Sequence, residues 1–161
     1  MTLTPTPGRL GIRVTGTPIP QGSKKIVRRG HGTFLVDTND KKLAPWRDHI
    51  HTTAQDTLRY HDTITGPVRV WLTFAFDRPR SHYRTGRNAE LLKDTAPRAA
   101  TSHGLGDVDK LTRAVFDALT TAQVWTDDAL VIDTRVRKFY AGEHPDAPPT
   151  PGVDIVLEEL A

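Results

Sequence analysis

The sequence predicts an α+β protein: one domain, with a mixed β-sheet of about four or five strands packed with two main helices. Three observations carry this. Val68, Val70, Leu72, Phe74 and Phe76 alternate with Arg69, Trp71, Thr73, Ala75 and Asp77, the period of a strand. Leu43, Trp46, Ile50, Ala54 and Leu58 recur every three or four residues, as do Val108, Leu111, Val115, Ala118, Leu119 and Ala122, the spacing of two helix faces. The 161 residues suffice for one sizeable core and are too few for two.

The remaining elements follow in order. Residues 1–8 are rich in Thr and Pro and read as a frayed end. Leu10, Ile12 and Val14 alternate with Gly11, Arg13 and Thr15 and predict a first strand. Residues 17–32, with prolines, glycines and basic residues, read as a flexible basic loop or hairpin, and TFLVDT as a second short strand. The first helix spans about 43–61, with Pro45 suited to its first turn. Residues 78–104 show little periodicity and hold six Arg or Lys against two acids: a long basic loop, either functional or a solvated insertion. After the second helix, Leu130, Ile132, Val136 and Tyr140 share one face of a strand. A proline-rich connection then leads to a last strand, VDIVLEEL.

Composition narrows the function. Without cysteine there is neither a disulfide framework nor a thiolate zinc site. No apolar run approaches the roughly 18 residues of a membrane span, and no secretory signal is visible, so a cytoplasmic protein is expected. The net charge of +3 and the pI near 9.4 suit a polyanionic partner.

Against that basic background, acids gather around the second helix. Asp107 and Asp109 sit at its start, where the helix dipole favours carboxylates, and Asp127 and Asp128 follow its end. Asp107 as an N-cap and Asp109–Arg113–Asp117 as a salt-bridge ladder would be the plain structural explanation. A turn after the helix that brought Asp128 back to Asp107 and Asp109 would gather carboxylates that repel unless a cation lies among them. Mg²⁺, a hard ion that takes oxygen ligands, suits such a group. The seven histidines lack zinc-ligand spacing.

These residues carry a resemblance. Asp107-x-Asp109-x-Leu111-x-Arg113, then Phe116-Asp117-Ala118-Leu119, then Trp125-x-Asp127-Asp128, resembles the RusA family of Holliday junction resolvases, particularly its phage-encoded members. GTPIPQGSKK looks like the family's first strand and loop, and RPRSHYRTG and LLKDTAP are similar to an insertion of some phage members. The resemblance covers most of the chain and makes residues 1–161 one RusA-like endonuclease domain. It implies Mg²⁺-dependent nicking of four-way DNA junctions by a homodimer, in recombination and repair, with Mn²⁺ able to replace Mg²⁺. It implies catalytic roles for Asp107, Asp109, Asp128 and Arg113, and metal ligation by Asp107, Asp109 and Asp128 with Asp127 adjacent. Arg113 stands where better-known members have lysine. Arginine keeps the charge and binds phosphate bidentately but cannot move a proton. Lys110 follows Asp109 where members often carry Asn, and Leu130 replaces a common Gln.

Other residues complete the expectation. Lys24, Lys25, Arg28 and Arg29 cluster as DNA-binding candidates, joined by Lys110, Arg135 and Arg137. Trp46, Phe116 and Trp125 read as buried anchors rather than base-stacking platforms, with Phe116 beside Asp109 at the edge of the polar helix face that carries Asp109, Arg113 and Asp117. A broader phage nuclease acting on flaps or forks is the alternative enzyme. A non-catalytic junction-binding module is the alternative of another class, disfavoured by the retained acids.

Overall fold

A computed structural model describes residues 8–161. The N-terminal segment read as frayed, Gly8 excepted, lies outside the described residues. The elements run β1 (Arg9–Thr15), β2 (Lys24–Arg29), β3 (Gly32–Asp37), α1 (Asp40–Thr57), β4 (Val68–Phe76), α2 (Val108–Thr121), β5 (Val131–Tyr140) and β6 (Gly152–Glu159). Four strands form a mixed sheet in the order β1-β6-β4-β5, and β2 and β3 form a separate antiparallel hairpin. β6 is antiparallel to both β1 and β4, while β4 and β5 run parallel, with α2 in the crossover between them. The α+β class, the two helices and the mixed sheet agree with the sequence reading.

β4 and β6 are the two inner strands of the sheet, and most of their side chains are buried. Val70, Leu72, Phe74 and Phe76 join Ile12 and Val14 of β1 and Val153, Ile155 and Leu157 of β6 in one core. The helices supply the second layer through Leu43, Trp46, Ile50 and Ala54 of α1 and Leu111, Ala114, Val115, Ala118 and Leu119 of α2. Each large apolar side chain among them, fully buried, stabilises the fold by roughly 1.5–3 kcal/mol. Phe116 and Trp125 meet edge-to-face at 5.3 Å, and the indole N–H of Trp125 donates to Thr120 Oγ1 at 2.7 Å. Trp125 and Trp46 are therefore buried anchors, as expected.

The structure differs from the sequence reading in the end of α1, which stops at Thr57 rather than near residue 61, and in three further places. α1 begins at Asp40, three residues earlier than its apolar stripe, so Pro45 lies inside the helix. Periodicity groups Val108 with the apolar arc of α2, but it lies at the exposed first position of the helix. In β5, Val68 pairs with Val131 and Arg69 with Asp133, leaving Ile132 as the extra residue of a β-bulge, 67% exposed. The bulge hands the core position of Ile132 to Val131 and restores the alternation, so Val136 and Tyr140 still face inward.

Residues 78–104 form a built loop of short 3-10 turns, with Tyr83 bridging to Leu92. Arg78 anchors it. Its side chain lies over the Tyr140 ring at 3.9 Å, donates to Pro97 O at 2.7 Å, and grips both oxygens of Glu143 at 2.7 and 2.5 Å. The hydrogen bonds from Arg78 hold the Glu143 carboxyl below its usual range. A carboxyl lowered in the folded state contributes stability above its unfolded value, about 4.3, and loses that contribution as pH falls through the folded value. The thermal midpoint of Glu143→Gln is therefore expected below that of the parent near neutral pH, the two converging at pH values below about 4. Melts followed by circular dichroism across that range check this; a constant gap would show that the ion pair does not set it.

Candidate functional site

Gly106 sets the geometry of the start of α2. Its φ of +86° is a left-handed conformation, and a Cβ there would lie 2.6 Å from Pro20. The missing side chain lets the 17–23 loop press on the start of the helix, where Gln21 N donates to Lys110 O at 3.1 Å. From the sheet side, Lys138 reaches across and donates its ammonium to Gly106 O at 2.8 Å. Loop and strand thus clamp one peptide from two sides, immediately before the acids.

Asp107 occupies the N-cap position, yet its side chain makes no capping hydrogen bond and is 67% exposed. Its described ionic neighbour is Lys110, with Nζ 3.7 Å from Oδ2. Asp109 lies exposed in the first turn, and Arg113 is exposed one turn further on. No ion pair joins Asp109 to Arg113 among the described residues, and Asp117 pairs instead with Arg47 of α1. The salt-bridge ladder that would have explained these charges structurally is absent among the described residues. Together with Pro20, Ser23, Asn39 and His103, Asp107 and Lys110 line an open cleft of about 270 Å³.

The second acidic pair lies elsewhere. Val124 N donates to Leu119 O, and Thr126 N to Ile64 O, so the chain leaving α2 stays at the far end of the helix. Asp127 caps the 3-10 turn Asp128–Leu130 by accepting from Ala129 N at 2.7 Å, and Asp128 beside it is exposed. A 14-residue helix is about 21 Å long, and that length separates the two acidic pairs within one chain. The turn after α2 does not bring Asp128 back to Asp107 and Asp109, because β5 starts beside the helix C-terminus and reaches Gly106 only at Lys138.

The basic candidates divide. Lys24, Lys25, Arg28 and Arg29 all stand on the exposed strand β2, with no ion pair among the described residues. Arg135 and Arg137 pair in register with Trp71 and Thr73, on the sheet face away from the helices, and Arg137 is held by Asp146 at 2.6 Å. On the same face Arg69 is held by Asp133 at 2.6 Å. Arg135 is exposed and has no ion pair among the described residues, so most but not all of the charge on that face is paired, and it is not the face of Asp107.

Residues 15–147 match the family described as Endodeoxyribonuclease RusA. The chain belongs to the RusA family. It is 26% identical over 148 residues to the uncharacterized protein YqaN of Bacillus subtilis (strain 168), covering 92% of this chain and 94% of that one. It is 59% identical over 33 residues to the crossover junction endodeoxyribonuclease RusA of Escherichia coli (strain K12). That match covers 20% of this chain and 28% of the E. coli protein, so the high identity is confined to a short segment. The corresponding protein of Shigella sonnei (strain Ss046) matches to the same extent.

For a RusA-family chain the implied Mg²⁺ can be tested against the donors present. In kind they fit: Asp107 and Asp109 offer exposed carboxylate oxygens that no hydrogen bond of the described residues engages, and Mg²⁺ is commonly held by one or two carboxylates with water and phosphate completing its shell. In number they do not close a cage within one chain, since the described residues contain no group of three or more His, Asp or Glu able to hold a metal ion.

Lys138 is a residue that sequence reasoning does not single out. Its signal is the alternation Val136, Lys138, Tyr140, which puts a charge at an inward-facing position, where it must find a partner. Lys138→Met keeps the apolar stem and leaves the Gly106 carbonyl without its donor. The expected cost is about 1.5–3 kcal/mol, the usual contribution of a hydrogen bond from a charged group. Amide exchange at Val108–Leu111 should rise more than elsewhere; uniform change across the chain would contradict the clamp.

Proposed function

We propose that this protein is a Mg²⁺-dependent, structure-selective DNA endonuclease that resolves four-way junctions by paired nicks and works as a homodimer. The observation that carries the reading is the start of α2 in a RusA-family chain, where Asp107 and Asp109 are presented at a clamped helix end with exposed carboxylates that no hydrogen bond of the described residues engages. When bound there, Mg²⁺ supplies Lewis-acid polarisation of a phosphate and lowers the pKa of bound water.

The chain's own residues divide the remaining work. Asp107 and Asp109 would hold the cation. Arg113, one turn from Asp109, donates to the phosphate oxygens and offsets their charge. Its guanidinium stays protonated, so its role is electrostatic. Lys110 keeps positive charge at the rim of the cleft, next to Asp107. Lys24, Lys25, Arg28 and Arg29 bind phosphates away from the cut.

The separation of the acids supports the dimer. Asp127 and Asp128 lie a helix length from Asp107 and Asp109, so they complete a site from a second copy. A two-fold axis that sets the end of one α2 beside the start of its partner's makes two equivalent sites, as two symmetric cuts require. β5 is an edge strand whose bulge turns Ile132 outward, and it offers surface for that contact.

Labelled four-way and linear DNA, with and without Mg²⁺, test the activity: the junction alone should be nicked, in symmetric pairs. Asp109→Asn and Asp128→Asn should each abolish nicking and retain junction binding. Because each shared site takes its acids from both chains, mixing the two inactive variants should restore one live site per mixed dimer. A mixture as inactive as its parts would place the acids of each site within one chain. Light scattering should give twice the 17.9 kDa chain mass. Neutralising Lys24, Lys25, Arg28 and Arg29 should flatten the log–log salt dependence of binding by about 0.9 for each phosphate no longer neutralised. An unchanged slope would make β2 a solvated surface.

A further inference from the structure

The hairpin β2–β3 has more apolar surface than a phosphate-binding arm needs. Ile26 and Leu35 are directly opposed in register and are 67% and 68% exposed. Directly opposed residues share a face of the ribbon, so these two form one continuous ridge. Val27 and Phe34 form the pair on the other face, with Phe34 54% exposed. None of the four belongs to the core or packs against it. A two-stranded hairpin by itself is marginally stable in water, so these side chains are placed for a partner.

Charge and position identify that partner. Lys24 and Arg28 flank Ile26 on its own face, while Lys25 and Arg29 lie on the other, without ion pairs among the described residues. An apolar ridge between uncommitted cations complements a polyanion with apolar surfaces inside it, which is a nucleic acid with an accessible base step. The root of the hairpin is tied down where Thr38 N donates to Ser23 O at 3.1 Å, and Ser23, Thr38 and Asp107 line the same cleft. Ile26 stands two residues beyond Lys24, roughly 7 Å along the strand. Because Ser23 at the root of the hairpin lines the cleft with Asp107, the ridge three residues further along lies within reach of DNA held there.

We propose that the Ile26–Leu35 ridge is a wedge that enters the stack of base pairs at the branch point of DNA held at Asp107. This rests on the endonuclease reading above. Apolar side chains of other DNA-bending proteins enter base steps at the cost of unstacking. That cost is smallest where pairing and stacking are already interrupted, which is the branch and not the linear arm. The cations of the hairpin bind any DNA alike, so the ridge, not the charge, provides selectivity for the branch.

The test uses the full-length protein without divalent cation, so that nothing is cut, and a four-way junction carrying 2-aminopurine at the branch. Binding should raise its fluorescence, as an unstacked base requires. The double variant Ile26→Ser, Leu35→Ser should lose that rise and bind the junction about tenfold more weakly, with linear duplex affinity nearly unchanged. Its thermal midpoint should match the parent's, because neither residue is in the core. An undiminished fluorescence rise, or equal weakening on junction and duplex, overturns the wedge. A shift from dimer to monomer makes the ridge a contact between copies and overturns it also. So does binding of the parent to phosphatidylserine vesicles that the variant loses, with fluorescence unaffected. If the parent opens the branch but never nicks it with Mg²⁺, the wedge stands and the endonuclease reading falls. If the parent nicks the junction with no fluorescence rise, the endonuclease reading stands and the wedge falls.

Discussion

The packing of α2 on the sheet is the constraint from which the rest of the structure follows. Leu111, Ala114, Val115, Ala118 and Leu119 bury one stripe of the helix in the same core as the even-numbered residues of β4. A rigid helix so docked cannot slide or turn without exposing that stripe. Both of its ends are therefore fixed relative to the strands. One end presents Asp107 and Asp109 beside Gly106, and the other leads through Trp125 into the turn of Asp127 and Asp128. Rigidity gives each acidic pair a defined place, and the same rigidity keeps the two pairs apart within a chain.

Charge is sorted by the two faces of the sheet. On the open face, Arg13 is matched to Asp154, Arg69 to Asp133, and Arg137 to Asp146, so most of the charge there is paired. On the helix side, Lys138 is consumed by the Gly106 carbonyl, whereas Asp109, Arg113 and the cations of β2 have no ion pair among the described residues. Charges that a fold leaves uncommitted are available to a ligand. Exposed ion pairs contribute little to stability, about 0–1 kcal/mol. Leaving them unmade in one region therefore costs the fold little.

Much is legible in the sequence because it is written as local periodicity. The β4 alternation, the two helical stripes, the basic hairpin and the spacing of the acids each follow from side chains within about twenty residues of one another. Pro45 and Ile132 escape that reading for local reasons of another kind. A helix can extend a turn ahead of its apolar stripe, and one bulge residue reverses the facing of all that precedes it.

By itself the sequence determined the class of fold, the family and the chemical type of each candidate group, since these depend on which residues occur and at what spacing. Only the tertiary structure decided which of them meet. That Lys138 clamps Gly106, that Pro20 seats where a Cβ would be, and that Arg137 is matched to Asp146 are consequences of strand order. The separation of Asp128 from Asp107 and Asp109 is of the same origin. The direction in which β5 leaves α2 is set by its parallel pairing with β4, a contact more than sixty residues distant in the chain, and no local pattern encodes it.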